Sequence, residues 1–339
     1  MAKPALQIET TRGELVESVH PVSVAVVAAS GALLAASGDP ELVTWWRSAA
    51  KPFQALPLLQ DGAAERFALS DEELALICAS HSSESRHLEV VSRLMARLDI
   101  TDQDLSCGVH PPLSPAVAQA VMRGAAVPTP RWSNCSGKHT GMLALAKHHG
   151  WPLAGYQAAG HPVQERILAE VSRWTGVAEP AIALAIDGCT AVCFGLSLRA
   201  MALAYARFGV SDEAAPRRLA AAMTGDPFLV GGTGRLCTDL MRAWPGGVLA
   251  KVGAEGIYSA ALPSLGIGVA LKVHDGETRA ASLALLEVLR QLLTRIAPSQ
   301  GPDFGVPELA KYGRQPLRNT RGTVTGELRP AGVLHFVAA

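Results

Sequence analysis

The chain has 339 residues, enough for one large domain or two of ordinary size, and its 49% apolar and 18% charged residues suit a sizeable buried core. Thirty basic against thirty acidic residues leave no formal net charge, and no Lys/Arg run makes a basic face locally, which excludes the electrostatic footprint of a nucleic-acid binder. Aromatics at 5% are too sparse for a base-stacking platform, and six scattered cysteines do not make a small disulfide scaffold.

The N-terminal MAKPALQIETTRGE lacks a hydrophobic signal core, and no run of about 18 apolar residues follows, so a soluble, cytoplasmic protein with reduced thiols and no membrane partner is expected. Residues 22–37 read as two apolar runs around Ser30-Gly31, a β-hairpin. Helical spacing covers 52–60 and 84–98, and Ser70-Asp-Glu-Glu73 is a capping box leading into an apolar helix that ends near Cys78. HPPLSP (110–115) and VPTPRW (127–132) punctuate loops. KHTGMLALAKHH then reads as a helix stopped by Gly150, and His161-Pro to Trp174 as an amphipathic one. Residues 181–186 form a short strand ending at Asp187-Gly-Cys189, 195–208 and 214–223 are helical, and 248–252 and 267–273 are strands. A long apolar helix over 278–296 precedes a polar C-terminal tail. Strands thus gather near both ends and helices in the middle. The expected fold is one α/β domain over 1–339, a mixed sheet from 1–46 and 181–339 flanked by helices, with a mainly helical part over 47–180.

Four stretches carry chemistry. Ser48-Ala-Ala-Lys51 is an S-x-x-K pair, in which an amine takes the proton of a hydroxyl, provided burial or nearby cations lower the lysine pKa. Pro52 puts Ser48 at the very start of a helix, where backbone N–H groups can hold an oxyanion. The same spacing also fits an ordinary helix start with a solvated lysine. In ASHSSESRH (79–87), Ser82 or Ser83 can be explained as a helix cap, which leaves Ser80 and His81 unexplained. SNCSGKHTGM (133–142) fits either a cap by Ser136 or a site. A phosphate loop fails there because Trp132 and His139 stand where glycine and Ser/Thr are needed. Asp187-Gly-Cys189 brings a carboxylate and a thiol to a strand end, Cys193 and Cys237 read as core, and the cysteines match no usual zinc spacing.

Taken together, RSAAKP (47–52), ASHSSE (79–84), SNCSGKH (133–139) and DGC (187–189) resemble, in order and interval, the rhizobial-type (class 3) L-asparaginases, as do 232–259 and 266–281. The resemblance implies a fold similar to serine β-lactamases and serine-type glutaminases, hydrolysis of L-asparagine to L-aspartate and ammonia, and a homodimer. It also implies two Ser–Lys pairs, Ser48 with Lys51 and Ser80 with Lys251, and a zinc ion held by Cys135, Lys138 and Cys189 with water completing a tetrahedron. Lys272, also following an apolar strand, is the rival of Lys251. Arg47, His81, Asn134 and Asp187 are expected to bind substrate, Asp187 also to support the metal site. Arg47, Lys51, Lys138 and Lys251 are expected to lower one another's pKa, so that activity rises along an alkaline limb. The family often has a small or proline-containing segment after the DGC cysteine, whereas this chain has Thr190-Ala-Val192. Hydrolysis of L-glutamine, hydrolysis of a β-lactam, and a non-enzymatic zinc-binding role are the alternatives.

Overall fold

A computed structural model describes residues 5–337. The chain divides into two compact units, one of residues up to 49, 196–210 and 239 onward, the other of residues 50–195 and 211–238.

An antiparallel sheet forms the first unit. From edge to edge it runs Gln315–Arg318, Val324–Ala331, Gln7–Arg12, Leu15–Ala28, Ile267–Val273, Ile257–Leu262 and Leu249–Val252. Leu33–Ser37 branches from Leu15–Ala28 and also pairs with His335–Phe336. The expected hairpin is there: Gly31 has φ 94° and its N–H closes the turn on the Ala28 carbonyl at 2.8 Å. Its first strand starts at Leu15, earlier than the apolar run suggests, because the outer residues Leu15–Val19 are exposed and carry no clean pattern. The helices Leu198–Val210 and Thr278–Ile296 pack on the strand Ile267–Val273, which is buried except at Lys272, as a strand covered on both faces should be. A Cβ on Gly268 would stand 1.9 Å from the Ala202 carbonyl oxygen, so only glycine lets that helix lie so close.

The α/β class expected from sequence holds, with antiparallel pairing along the sheet. The polar tail adds strands to it. Gln315–Arg318 and Val324–Ala331 are strands, and their half-buried and exposed residues lack the apolar run that would announce them. Pro316 is tolerated because its strand lies at the sheet edge.

The second unit is mainly helical. Its longer helices are Lys51–Gln60, Asp71–Ile77, Ser85–Arg97, Pro115–Met122, Ser136–His149, Pro162–Thr175 and Ala214–Gly225. Ser70 and Glu73 close the capping box reciprocally, at 3.3 and 2.9 Å, and Glu73 also pairs with Arg97. Helix Ser136–His149 is buried from Ser136 to Ala146 and ends at Gly150 with φ 72°. A Cβ on Gly137 would meet the Leu76 carbonyl oxygen at 2.3 Å. That close approach sets the start of Ser136–His149 against the end of Asp71–Ile77, where the chain turns into Ser80. The strand Ala183–Ile186 pairs with Val192–Ser197 from Ala183↔Gly195 to Ile186↔Val192, with Asp187–Thr190 as the turn. Among the described residues no helix is long and apolar enough to cross a membrane.

Candidate active site

Lys51 opens the helix Lys51–Gln60 directly after the 3-10 turn Arg47–Ala50, and Pro52 sits in the first turn, where its missing N–H costs nothing. The lysine is 1% exposed. Its amine donates to the Ala79 carbonyl, to Ser80 Oγ at 3.2 Å and to the Asn134 carbonyl at 3.3 Å. Ser80 is itself buried and anchored by its N–H on the Val230 carbonyl at 3.0 Å. A hydroxyl within hydrogen-bond reach of an amine is the arrangement in which lysine can prime serine for attack or relay. Asn134 enters through its backbone, its N–H donating to His110 Nε2 at 2.9 Å.

The segment after Ser80 is wound tightly, with Ser83 at φ 59°. Neither Ser82 nor Ser83 caps the next helix. Ser82 Oγ donates to the Gly231 carbonyl at 2.8 Å and Ser83 Oγ to the Trp132 carbonyl at 2.6 Å, while Glu84 occupies the cap position. His81 is fully buried; its Nδ1 accepts the Ser83 N–H at 3.2 Å, so its Nε2–H donates to Ser136 Oγ at 2.9 Å. Burial, then the charges of His87, Lys51, His110 and Arg235, hold the His81 imidazole well below its usual range, hence neutral. With both nitrogens so used, His81 orients Ser136 at the start of its helix. Ser136 therefore does not cap that helix; it is the first helical residue.

Beside this couple lie the thiols. Lys138 Nζ is 3.0 Å from Cys189 Sγ, and Asp187 Oδ2 is 3.8 Å from the same sulfur. A hydrogen bond from Cys135 and the positive charge of Lys138 draw the Cys189 thiol down to about 5, against the opposing effect of burial. The same hydrogen bond, with burial, pushes Cys135 up to about 12. Burial alone would lower Lys138, but the charges of Cys189, Cys135 and Asp187 outweigh it and raise the ammonium, contrary to the mutual lowering expected from neighbouring cations. Two sulfurs and an amine thus converge, a donor set that suits zinc once the amine is deprotonated. Among the described residues no three His, Cys, Asp or Glu side chains form a metal site by themselves, so a metal here requires Lys138.

The other expected members belong to the sheet unit. Lys251 is wholly buried in the strand Leu249–Val252 and donates to the Val252 carbonyl at 2.9 Å. Its cross-strand partner is Ser259, whose Oγ accepts the Trp46 indole N–H at 3.2 Å. A Cβ on Gly253 would meet the Trp46 carbonyl oxygen at 3.0 Å. Trp46, two residues before Ser48, therefore lies against the strand end that carries Lys251. Arg47 between them has φ 53°, an uncommon conformation for a non-glycine residue. Lys272, the rival, is half-buried and turned to the Val273 and His274 carbonyls near Glu255 and Asp275.

Residues 8–330 match the family model described as L-asparaginase II. The chain belongs to the L-asparaginase II family. No curated protein gives a significant match. Among solved structures, Mglu in its native form in 4.3 M NaCl matches with TM-score 0.45 and 15% identity over 84% of this chain. Mglu in its L-glutamate binding form in 4.3 M NaCl matches with TM-score 0.36 and 17% identity over 89%. The chain spans 63% and 66% of those longer chains, and likeness at this level assigns no activity.

In this L-asparaginase II family chain the turn after the DGC cysteine is fixed by Thr190, at φ 72°, whose Oγ1 donates to the Ser106 carbonyl at 2.9 Å. Sequence reading missed three residues around Ser80. His110 sat in a proline-rich stretch that read as punctuation. Glu84 read as part of a helix start, yet its carboxylate accepts from Thr233 N–H at 2.8 Å and Thr233 Oγ1 at 2.7 Å. Arg235 had no role assigned, although it donates to Ser82 Oγ at 3.3 Å. Only the GTGR glycines could have signalled that loop.

Proposed function

We propose that this protein is an amidohydrolase that converts L-asparagine to L-aspartate and ammonia through a serine primed by a lysine. The observation that carries the reading is the buried Lys51–Ser80 couple at 3.2 Å, in a chain of the L-asparaginase II family. In the proposed cycle Ser48 attacks the side-chain amide carbon while Lys51 takes its proton, and backbone N–H groups at the helix start receive the oxyanion. The leaving nitrogen departs as ammonia with a proton returned through Ser80 and Lys251, and water then opens the β-aspartyl ester. The roles of Ser48 and Lys251 rest on the motif correspondence. Arg47, Asn134 and Asp187 are assigned to substrate, and His81, also expected there, acts through Ser136.

Cys135, Lys138 and Cys189 would hold a zinc ion, which when bound supplies a fixed positive charge that orients the amino-acid end of the substrate. The working form on this reading is a cytoplasmic homodimer.

Ammonia release from L-asparagine and L-glutamine, with nitrocefin turnover alongside and each with and without chelator, tests the reading. L-Asparagine should be the best substrate, and L-glutamine weaker, since one methylene separates substrates by about 1–3 kcal/mol. Nitrocefin should be inert and chelation should lower kcat/KM. Absence of ammonia from both amides overturns the proposal. Full activity after verified metal removal would leave the amidase and remove the zinc.

A further inference from the structure

An amino-acid amide brings a carboxylate into its site, and the two buried amines beside Ser80 and Cys189 face other groups. Lys51 Nζ faces two carbonyls and Ser80 Oγ, and Lys138 faces Cys189. Arg235 differs. It is half-buried, Ser82 Oγ is the partner of one of its N–H groups, and no carboxylate among the described residues pairs with it. Its charge is felt at His81, next to Ser80, together with those of Lys51 and His110.

The loop that carries Arg235 is held firmly. Ser82 Oγ grips the Gly231 carbonyl at 2.8 Å, the Gly232 N–H donates to Thr238 Oγ1 at 3.2 Å, and Glu84 takes both polar groups of Thr233. Gly232 has φ 113°, and a Cβ there would stand 2.5 Å from Glu84 Oε1 and 2.8 Å from Ser82 Oγ. The backbone therefore passes as close to residues 82–84 as a chain can. This clamp occupies the Glu84 carboxylate and leaves the guanidinium its remaining donors. A planar fork with unspent N–H groups suits a carboxylate.

We propose that Arg235 anchors the α-carboxylate of the substrate, with Glu84 as the residue that positions its loop. The assignment rests on the amino-acid amidase reading above. The decisive experiment compares wild type, Arg235→Gln, Arg235→Lys and Arg47→Gln on L-asparagine and on 3-aminopropanamide, which keeps the amide and lacks the carboxylate. L-Aspartate binding by calorimetry and thermal melting are followed in parallel. Loss of the fork should raise KM for L-asparagine by about 10- to 100-fold with kcat little changed, as expected when binding common to ground and transition states is removed. Kinetics on 3-aminopropanamide should be unaffected, Arg235→Lys should restore part of the loss, and L-aspartate binding should weaken in step.

Equal losses on both amides, no loss on either, or an L-aspartate defect confined to Arg47→Gln would overturn it. If the wild type releases no ammonia but binds L-aspartate through Arg235, the amidase reading fails and the anchor stands. Wild type that binds no L-aspartate and cleaves neither amide overturns both. Should Arg235→Gln melt early, the Arg235→Lys comparison across the two amides decides.

Discussion

At Lys51 one amine joins oxygens from the adjacent residues 79 and 80 and from residue 134, two segments far from it in sequence. Replacing it by Met removes a proton acceptor and also strands two buried carbonyls. Turnover should fall by about 10²–10⁴-fold, the usual worth of a positioned base. Stability should drop by about 1–3 kcal/mol for unsatisfied groups, read from a urea melt. Ser48→Ala should abolish turnover with stability nearly intact; near-normal activity in that variant, together with loss in Ser80→Ala, would transfer the nucleophile to Ser80. The S-x-x-K spacing made Lys51 legible in the sequence. Its hydrogen bond to Ser80, 29 positions on, was not, because no local pattern encodes a partner that tertiary packing supplies. Backbone conformation was equally hidden. Arg47, Ser83 and Thr190 all take positive φ beside expected site residues, and such conformations gather where the surrounding structure fixes a functional segment.

At the scale of elements, periodicity did well where it was strong. The helix Thr278–Ile296 has the bounds read from sequence, and Ser136–His149 ends at Gly150 as the glycine predicts. It did poorly where a strand lacks contrast. Ile257–Leu262 is buried at every position, so its IYSAAL shows no alternation to read, and the C-terminal strands are half-exposed at the sheet edge. Glycine contacts were also invisible. Gly268→Ala would drive a Cβ into the Ala202 carbonyl oxygen of the helix Leu198–Val210, a backbone atom that no rotamer change can move aside. A loss of about 3 kcal/mol, at the upper end of overpacking costs, is expected in denaturant melts. A variant as stable as wild type would show that the helix can lift off the strand freely.

For the molecule as a whole, buried imidazoles set an acid limit. Burial holds His81 below its usual range, helped by His87, Lys51, His110 and Arg235. Burial also lowers His87, assisted by Arg86 and opposed by the Phe228 carbonyl, Glu84 and Asp226. Both are depressed in the folded state, so below about pH 6.5 the unfolded chain binds protons that the native one refuses. Their contribution is complete above that pH and is lost as pH falls through the window. The urea midpoint should therefore decline from pH 7.5 to 5.5; a flat or rising midpoint would contradict the assignment.

The partnership of Gln7–Arg12 with Val324–Ala331 carries a further consequence. Glu9 and Arg329 meet at 3.0 Å although 320 positions separate them. During synthesis the strand Gln7–Arg12 must wait until those 320 positions have been made before one of its flanks is covered. Until then it offers an open edge, a template for pairing with a neighbouring nascent chain. Cells short of folding assistance should accumulate this protein as aggregate before they accumulate it in folded form.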